Sequence, residues 1–250
     1  MKQLKRPLYQ LIIVSFNILL VVVVVWAITL LITQSPSFYA MEFIKNNTPN
    51  VTGYTMDELK IISEHIIDYL FGHLDTMQVV FEDGNVFSNQ ALNHMRDVRT
   101  LYNGGSIIGW IALAIEIGLG TLIVLHYQYL RHDLLKTSII TIAVLFGILA
   151  IVGILSALDF DRAFEVFHHI IFPDPIKFRD AFFSYESYYP EDPGVNNLML
   201  VMILSEQLFM DVGLFLLMGT ISALIIWIII ILLSRIIDYK KRGKTYVKNC

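Results

Sequence analysis

The sequence contains little cysteine and few charged residues, and both deficits limit what the protein can be. Cys250 is the only cysteine among 250 residues, so an intrachain disulfide is excluded and the loops must be held by packing or by lipid. Only 16% of the residues are charged, whereas soluble domains have about 25%. The formal net charge is −4 and the basic residues are scattered, so no nucleic-acid partner is predicted.

Familiar catalytic and cofactor-binding motifs are also missing. The sequence has no G-x-S-x-G, no H-E-x-x-H, no phosphate-binding glycine loop and no dinucleotide-binding fingerprint. His168 and His169 are adjacent, but neighbouring side chains on a helix diverge by about 100° and no further ligand spacing lies nearby. No metal and no other cofactor is therefore predicted.

Apolar residues are abundant and occur in long runs. They make up 56% of the chain, and the mean hydropathy is +0.62. Four runs are long enough for the roughly 20 residues that cross a hydrocarbon core. We therefore predict an all-α polytopic membrane protein that forms a single membrane domain over residues 1–250. The predicted transmembrane helices are about 8–32, 106–130, 137–158 and 212–233.

The basic residues predict the orientation of these helices. Eleven of the 18 lysines and arginines lie near the two termini or between the second and third spans, and such residues favour the cytoplasmic side. We therefore expect cytoplasmic termini and a cytoplasmic turn at 131–136. The two large, partly helical loops, 34–105 and 159–211, are then extracytoplasmic and lie at the outer interface of the membrane.

The first of these loops has signals of a folded structure. Thr55 and Glu58 have the spacing of a capping box, which predicts a helix over about 56–71. Asp83-Gly84 between short apolar runs predicts a hairpin in which 82–85 connect the strands. A second helix is expected over about 89–101, before the second span. The predicted apolar stripe of the capped helix consists of Leu59, Ile62, Ile66 and Leu70.

The second outer loop is rich in aromatic residues. Ten phenylalanines and tyrosines lie between Phe160 and Tyr189, a composition typical of the membrane interface. Pro173 and Pro175 predict a break in any helix there. The apolar run 198–204 is too short to cross the membrane and predicts a re-entrant or interfacial segment.

Two histidines at the outer edges of spans are candidates for proton transfer. His94 has Asp97 three residues further on, where a carboxylate on a helix can fix the imidazole tautomer. His168 shares its side of a helix with Phe164 and Phe167, which predicts an apolar wall beside a base. Membrane-edge histidines can equally just contact lipid headgroups. Glu116, inside the second span, is either a functional carboxylate or the partner of a polar group such as Asn17.

Four segments together resemble a family of bacterial membrane proteins, the lipoprotein intramolecular transacylases (Lit). They are the long N-terminal span, Asn93-His94-Met95-Arg96-Asp97-Val98-Arg99-Thr100-Leu101-Tyr102, Phe164-Glu165-Val166-Phe167-His168 and Leu208-Phe209-Met210-Asp211. Their order and the four-span layout are similar to the family over nearly the full chain.

The resemblance implies a reaction, a substrate and a location. It implies transfer of the sn-2 acyl chain of a diacylglyceryl-cysteine lipoprotein to the cysteine α-amine, without a cofactor, at the extracytoplasmic face of a bacterial cell membrane. It also implies that His94 and His168 are the general acid and base, without showing which is which. We expect Asp97 to orient His94, and Arg99 or a backbone donor to stabilise the oxyanion. The supporting or substrate-binding candidates are Asp97, Arg99, Tyr102, Phe164 and Phe167.

Two alternatives remain open from the sequence. A non-catalytic receptor or accessory subunit would use the same outer loops to bind a partner, with the histidines lining the interface. A lipid hydrolase would use the same histidines to activate water. The sequence predicts the lipid bilayer and diacylated lipoproteins as partners and does not indicate an oligomeric state.

Overall fold

The computed structural model describes residues 6–171 and 199–248, and these are almost entirely helical. The described residues form nine helices and one two-stranded hairpin. The elements are α1 (Arg6–Thr33), α2 (Pro36–Lys45), α3 (Thr48–Thr52), α4 (Met56–Leu70), β1 (Val80–Phe81), β2 (Gly84–Asn85), α5 (Asn89–Leu125), α6 (Tyr127–Leu158), α7 (Phe160–Ile171), α8 (Met199–Ile203) and α9 (Glu206–Lys248).

Four helices, α1, α5, α6 and α9, are long and apolar enough to cross a membrane. The number of spans predicted from the sequence is confirmed. Two helices differ from the prediction at their ends. The turn between α5 and α6 is at His126, so segment 131–136 is not a turn but lies within α6. The 32 residues of α6 extend to nearly 50 Å, and a helix longer than the hydrocarbon core can carry polar residues at its end.

The helix expected over 89–101 and the second span are one continuous helix, α5. The sequence between them contains Gly104 and Gly105 but no proline. A glycine inside a helix costs only about 1 kcal/mol relative to alanine, which does not end a helix of 37 residues. The polar beginning of α5, residues 89–105, precedes its apolar run.

The chain divides into two compact units. We call residues 1–28, 108–153 and 215–250 the span unit, and residues 29–107 and 154–214 the loop unit. The prediction that the chain is a single membrane domain stays a prediction.

The span unit has a small buried cluster and a large apolar surface. Gly109 is needed here, because a Cβ at this position would lie 2.3 Å from the Trp26 ring. Asn17 donates to the carbonyl oxygen of Ile13 and to the hydroxyl of Ser138. Both carboxylate oxygens of Glu116 are buried without a hydrogen-bond partner among the described residues, so the alternative in which Glu116 pairs with Asn17 is wrong. The buried apolar residues of this unit are Tyr9, Ile13, Phe16, Ile123, Leu130, Leu134 and Ile231.

The loop unit contains the predicted capped helix and hairpin. In α4 the Thr55 hydroxyl accepts from the Glu58 amide, and the Glu58 carboxylate accepts from the Thr55 amide at 2.7 Å. The hairpin is confirmed with a shorter connection than expected. Val80 pairs with Asn85 and Phe81 with Gly84, so only residues 82 and 83 connect the strands. The predicted stripe of Leu59, Ile62, Ile66 and Leu70 is buried.

The short apolar run after the second outer loop is part of the loop unit's core. Met199, Leu200 and Ile203 of α8 are buried in the same cluster as the α4 stripe. A short apolar run fits such a buried core helix, and its predicted re-entrant or interfacial position stays a prediction. Pro173, Pro175 and seven of the ten clustered aromatic residues lie outside the described residues.

Candidate active site

Helix α7 begins directly after α6, and a side-chain cap accounts for this sharp transition. Asp159 separates the two helices, and its carboxylate accepts a hydrogen bond from the backbone amide of Arg162 at 3.0 Å. Aspartate is among the preferred residues at a helix start, because its oxygen satisfies an amide that has no partner within the helix. The cap therefore fixes where α7 starts, and with it the position of His168 two turns later.

His168 is held by its own helix and by aromatic rings. Its side chain is 5% exposed, and its Nδ1 lies 2.8 Å from the carbonyl oxygen of Phe164. The Phe164 ring centroid is 4.0 Å from that of His168, and the Phe167 ring contacts His168 edge-on at 5.5 Å. The predicted apolar wall beside this histidine is thus present in the structure.

His94 and His168 lie on two different helices, and their rings face each other. His94 lies on the polar beginning of α5 and His168 on α7, and their ring centroids are 6.2 Å apart with the planes tilted by 32°. The two residues are 74 positions apart in the sequence, so folding brings them together. Both belong to the loop unit.

Burial shifts both histidines toward the neutral form. Desolvation, together with the nearby His168, lowers the pKa of His94 to about 4. Desolvation also lowers the pKa of His168, and the hydrogen bond to the Phe164 carbonyl partly opposes that shift. At neutral pH both imidazoles are therefore neutral, and each has one nitrogen that can accept a proton.

Phe209 completes the apolar side of this site. It lies at the start of α9, and its ring centroid is 5.5 Å from that of Phe164. The Phe160 ring also stacks on the Phe164 ring, with their centroids 5.7 Å apart. Sequence analysis identified Phe164 and Phe167 as candidates but not Phe209, because the contact joins α7 and α9 and leaves no local pattern.

Three other candidates on α5 do not share the surroundings of His94. Asp97 is exposed. Arg99 donates to the carbonyl oxygen of Leu74 at 3.2 Å, and its guanidinium carbon lies 4.7 Å from the centre of the Tyr69 ring. Tyr102 packs edge-on against Phe71 at 5.2 Å. Arg99 and Tyr102 thus hold α5 against the end of α4 and the segment that follows it.

A second polar group in the loop unit was not predicted from the sequence. Glu42 of α2 is 1% exposed, and its carboxylate accepts from the Asn46 amide at 3.2 Å. Burial and the nearby charge of Asp211 raise the pKa of Glu42. Lys45 pairs with Asp211 at the start of α9. The signal available in the sequence was weak, since Glu42 differs from ordinary surface glutamates only by its aromatic neighbours Phe38, Tyr39 and Phe43.

Comparison with known proteins gives a family and a fold. A family model described as lipoprotein intramolecular transacylase Lit matches residues 12–176. No curated protein matches the sequence. The structure is similar to an in meso structure of the membrane-integral lipoprotein intramolecular transacylase Lit from Bacillus cereus, with a TM-score of 0.64 and 18% identity over 96% of this chain and 100% of that one.

Two variants of the same Bacillus cereus protein are also similar in fold. The variant with a histidine replaced by arginine has a TM-score of 0.67 and 18% identity, over 95% of each chain. The variant with a histidine replaced by alanine has a TM-score of 0.67 and 19% identity, over 94% of this chain and 96% of that one.

Proposed function

The chain belongs to the lipoprotein intramolecular transacylase family, and from this membership we propose that His94 and His168 carry the acyl transfer. The substrate is a lipoprotein whose N-terminal cysteine bears a diacylglyceryl group, and the sn-2 acyl chain moves to the cysteine α-amine. The observation that carries the proposal is the approach of the two imidazoles, with centroids 6.2 Å apart and with the Phe164 and Phe167 rings against His168.

The reaction needs proton transfer more than it needs a nucleophile from the protein. Amine and ester belong to one molecule, so the substrate itself supplies most of the proximity. The amine nitrogen attacks the ester carbonyl, an amide C–N bond forms and the C–O bond to glycerol breaks. The nitrogen loses one proton and the glycerol oxygen gains one. Two positioned histidines suit these two transfers, each of which contributes about 10²–10⁴-fold to a rate.

The hydrogen bond to Phe164 supports His168 as the base. A carbonyl oxygen only accepts, so the Nδ1 of His168, 2.8 Å away, donates its proton to the bond. The neutral ring then has its lone pair on Nε2. We assign Nε2 of His168 the role of taking the proton from the attacking amine. The α-amine, whose ordinary pKa is about 7.7–8.0, reacts in its neutral form.

His94 then returns a proton to the glycerol oxygen. A neutral imidazole can accept a proton on one nitrogen and release the proton of the other. We propose that His94 takes up, directly or through one water, the proton that His168 removed, while it protonates the leaving oxygen. His168 is then back in its starting state, whereas His94 ends as its other tautomer and regains the starting one by proton exchange with water. Asp97 as the residue that orients His94 remains a prediction.

The aromatic residues around His168 serve to hold acyl chain and limit water. Phe164 and Phe167 contact the His168 ring and Phe209 packs behind Phe164, and a dry site favours the amine over water as the nucleophile. The basic residues near the termini support cytoplasmic ends and an extracytoplasmic site. The membrane location itself follows from the family and from the four apolar helices.

Mass spectrometry of a diacylglyceryl lipopeptide tests the proposal. We expect the purified protein to leave the peptide mass unchanged while fragmentation places one acyl chain on the amine. His94→Ala and His168→Ala should each lower this rate by about 10²–10⁴-fold. His169→Ala is the matched control, because His169 is next in sequence but points toward Glu165, 3.7 Å away, and its rate should stay within about twofold.

The other outcomes separate the alternatives. Release of free fatty acid in place of N-acylation indicates a lipid hydrolase at the same histidines. No acyl movement under conditions where the protein remains folded indicates a receptor or accessory subunit. Full activity in both histidine variants means that the catalytic centre is elsewhere.

A further inference from the structure

A groove in the span unit combines a basic rim with an apolar floor. It has a volume of about 430 Å³ and lies beside α6 and α9. The α6 residues that line it are spaced three and four apart, so they occupy one face of the helix. Two of the lining residues are basic, Lys136 of α6 and Arg235 of α9. The lining residues are His132, Leu135, Lys136, Ile139, Ile140 and Arg235.

The acidic residues near this groove already have partners. Asp133 receives a two-pronged hydrogen bond from Arg6, at 2.6 and 2.9 Å. Asp238 accepts from Arg131 at 2.7 Å. Arg6 and Arg131 therefore neutralise both carboxylates. These ion pairs also hold α1, α6 and α9 together at this end of the span unit.

The two cations that line the groove form no ion pair with the described carboxylates; Asp133 lies within electrostatic range of Lys136 but is already paired with Arg6. Arg235 donates to the backbone carbonyl of Arg131 at 2.8 Å, which orients the guanidinium without neutralising it. Among the described side chains, no carboxylate forms an ion pair with Lys136 or Arg235. A net positive rim thus faces a groove whose floor is apolar, with Ile139 and Ile140 about half exposed.

We propose that this groove binds an anionic phospholipid. Lys136 and Arg235 would contact the phosphate of its headgroup, and one acyl chain would lie along Leu135, Ile139 and Ile140. Charge complementarity selects an anionic over a zwitterionic lipid, because basic pockets between transmembrane helices attract negative headgroups. The apolar floor selects a lipid over free phosphate. The site lies in the span unit, so it is independent of the histidine pair and of the proposed reaction.

Native mass spectrometry of the full chain in lipid nanodiscs tests this site. We expect one phosphatidylglycerol to remain bound at activation energies that remove phosphatidylcholine. Lys136→Gln together with Arg235→Gln should lower this occupancy more than tenfold, at about fivefold for each charge near an anionic surface. Lys60→Gln together with Lys240→Gln is the control. It removes the same net charge from exposed positions outside the groove and should retain the lipid.

The outcomes are distinct even if Arg235→Gln disturbs folding through its bond to Arg131. Lys136 is exposed and has no such bond, so Lys136→Gln alone should fold normally and lose about fivefold in occupancy. Equal retention in Lys136→Gln and the parent overturns the proposal. Retention of phosphatidylcholine as strong as that of phosphatidylglycerol also overturns it. Displacement of the lipid by millimolar inorganic phosphate overturns it as well, and would indicate a site for the free anion.

Discussion

Each of the two units buries a glutamate, and the two glutamates differ in their surroundings. In the loop unit the Glu42 carboxylate accepts a hydrogen bond from Asn46, and the buried His168 ring likewise bonds to the Phe164 carbonyl. In the span unit both carboxylate oxygens of Glu116 and the indole nitrogen of Trp227 are buried without a hydrogen-bond partner among the described residues. An unpartnered buried polar atom is costly. Of the two buried glutamates, Glu42 and Glu116, only the one in the loop unit is thus oriented by a hydrogen bond.

The two units also differ in how far their apolar side chains are buried. The loop unit buries Leu59 and Ile62 completely in a continuous core. The span unit leaves residues such as Ile151 and Ile148 more than half exposed, where the bilayer supplies the contacts. We infer that the loop unit depends on internal packing in the manner of a soluble domain, and that the outer surface of the span unit does not.

Matched isoleucine substitutions test this difference and should give the largest effect on stability. Ile62→Ala leaves a cavity in the loop unit and should cost about 2–5 kcal/mol. Ile151→Ala, at a position 62% exposed, should change the free energy of unfolding by less than about 0.5 kcal/mol. Thermal unfolding in one detergent, followed by circular dichroism, measures both. Equal losses in the two variants would mean that the units do not differ in this respect.

The histidine site predicts a loss of stability in acid. The pKa of His94 is about 4 in the folded protein and near 6.5 when unfolded. Between these values the unfolded chain binds more protons, so stability falls as the pH drops from 6.5 toward 4. Allowing for the partial exposure of His94, we expect a loss of about 2 kcal/mol. His168 contributes in the same direction, because burial also lowers its pKa.

Unfolding at pH 7.5 and pH 4.5 measures this loss. His94→Gln is neutral at both values and should remove most of the difference. His132→Gln, at an exposed position on α6, should leave it unchanged. If His94→Gln loses as much stability between pH 7.5 and pH 4.5 as the parent does, the acid sensitivity arises outside the loop unit's histidine pair.

Local signals in the sequence predicted local structure well. The capping box of Thr55 and Glu58 needs only four consecutive residues, and the structure has it as predicted. Helix ends without such a signal were predicted at the wrong residues. The polar residues around Arg131 suggested a turn, although polar residues are also tolerated in a helix that extends beyond the membrane into water. Pairs formed by folding left little trace. Lys45 and Asp211 are 166 residues apart, and the contact of Phe209 with the site depends on how α7 and α9 meet.

Arg99 separates residues that hold the loop unit together from residues that act on substrate. It lies on the same helix as His94, yet its guanidinium contacts the Leu74 carbonyl and the Tyr69 ring. If these contacts are its main role, Arg99→Ala should cost about 1–2 kcal/mol of stability. The rate of acyl transfer, measured well below the unfolding temperature, should then fall less than tenfold.

The opposite result would assign Arg99 to the oxyanion. Loss of an oxyanion donor lowers a turnover rate by about 10²–10³-fold, and it need not change the melting temperature. Arg99→Lys sharpens the distinction, because lysine keeps the charge but not the planar group that stacks on Tyr69. A structural role predicts reduced stability in Arg99→Lys with near-normal turnover. Arg96→Ala, an exposed position about one turn earlier on α5, should leave both quantities unchanged and serves as the control.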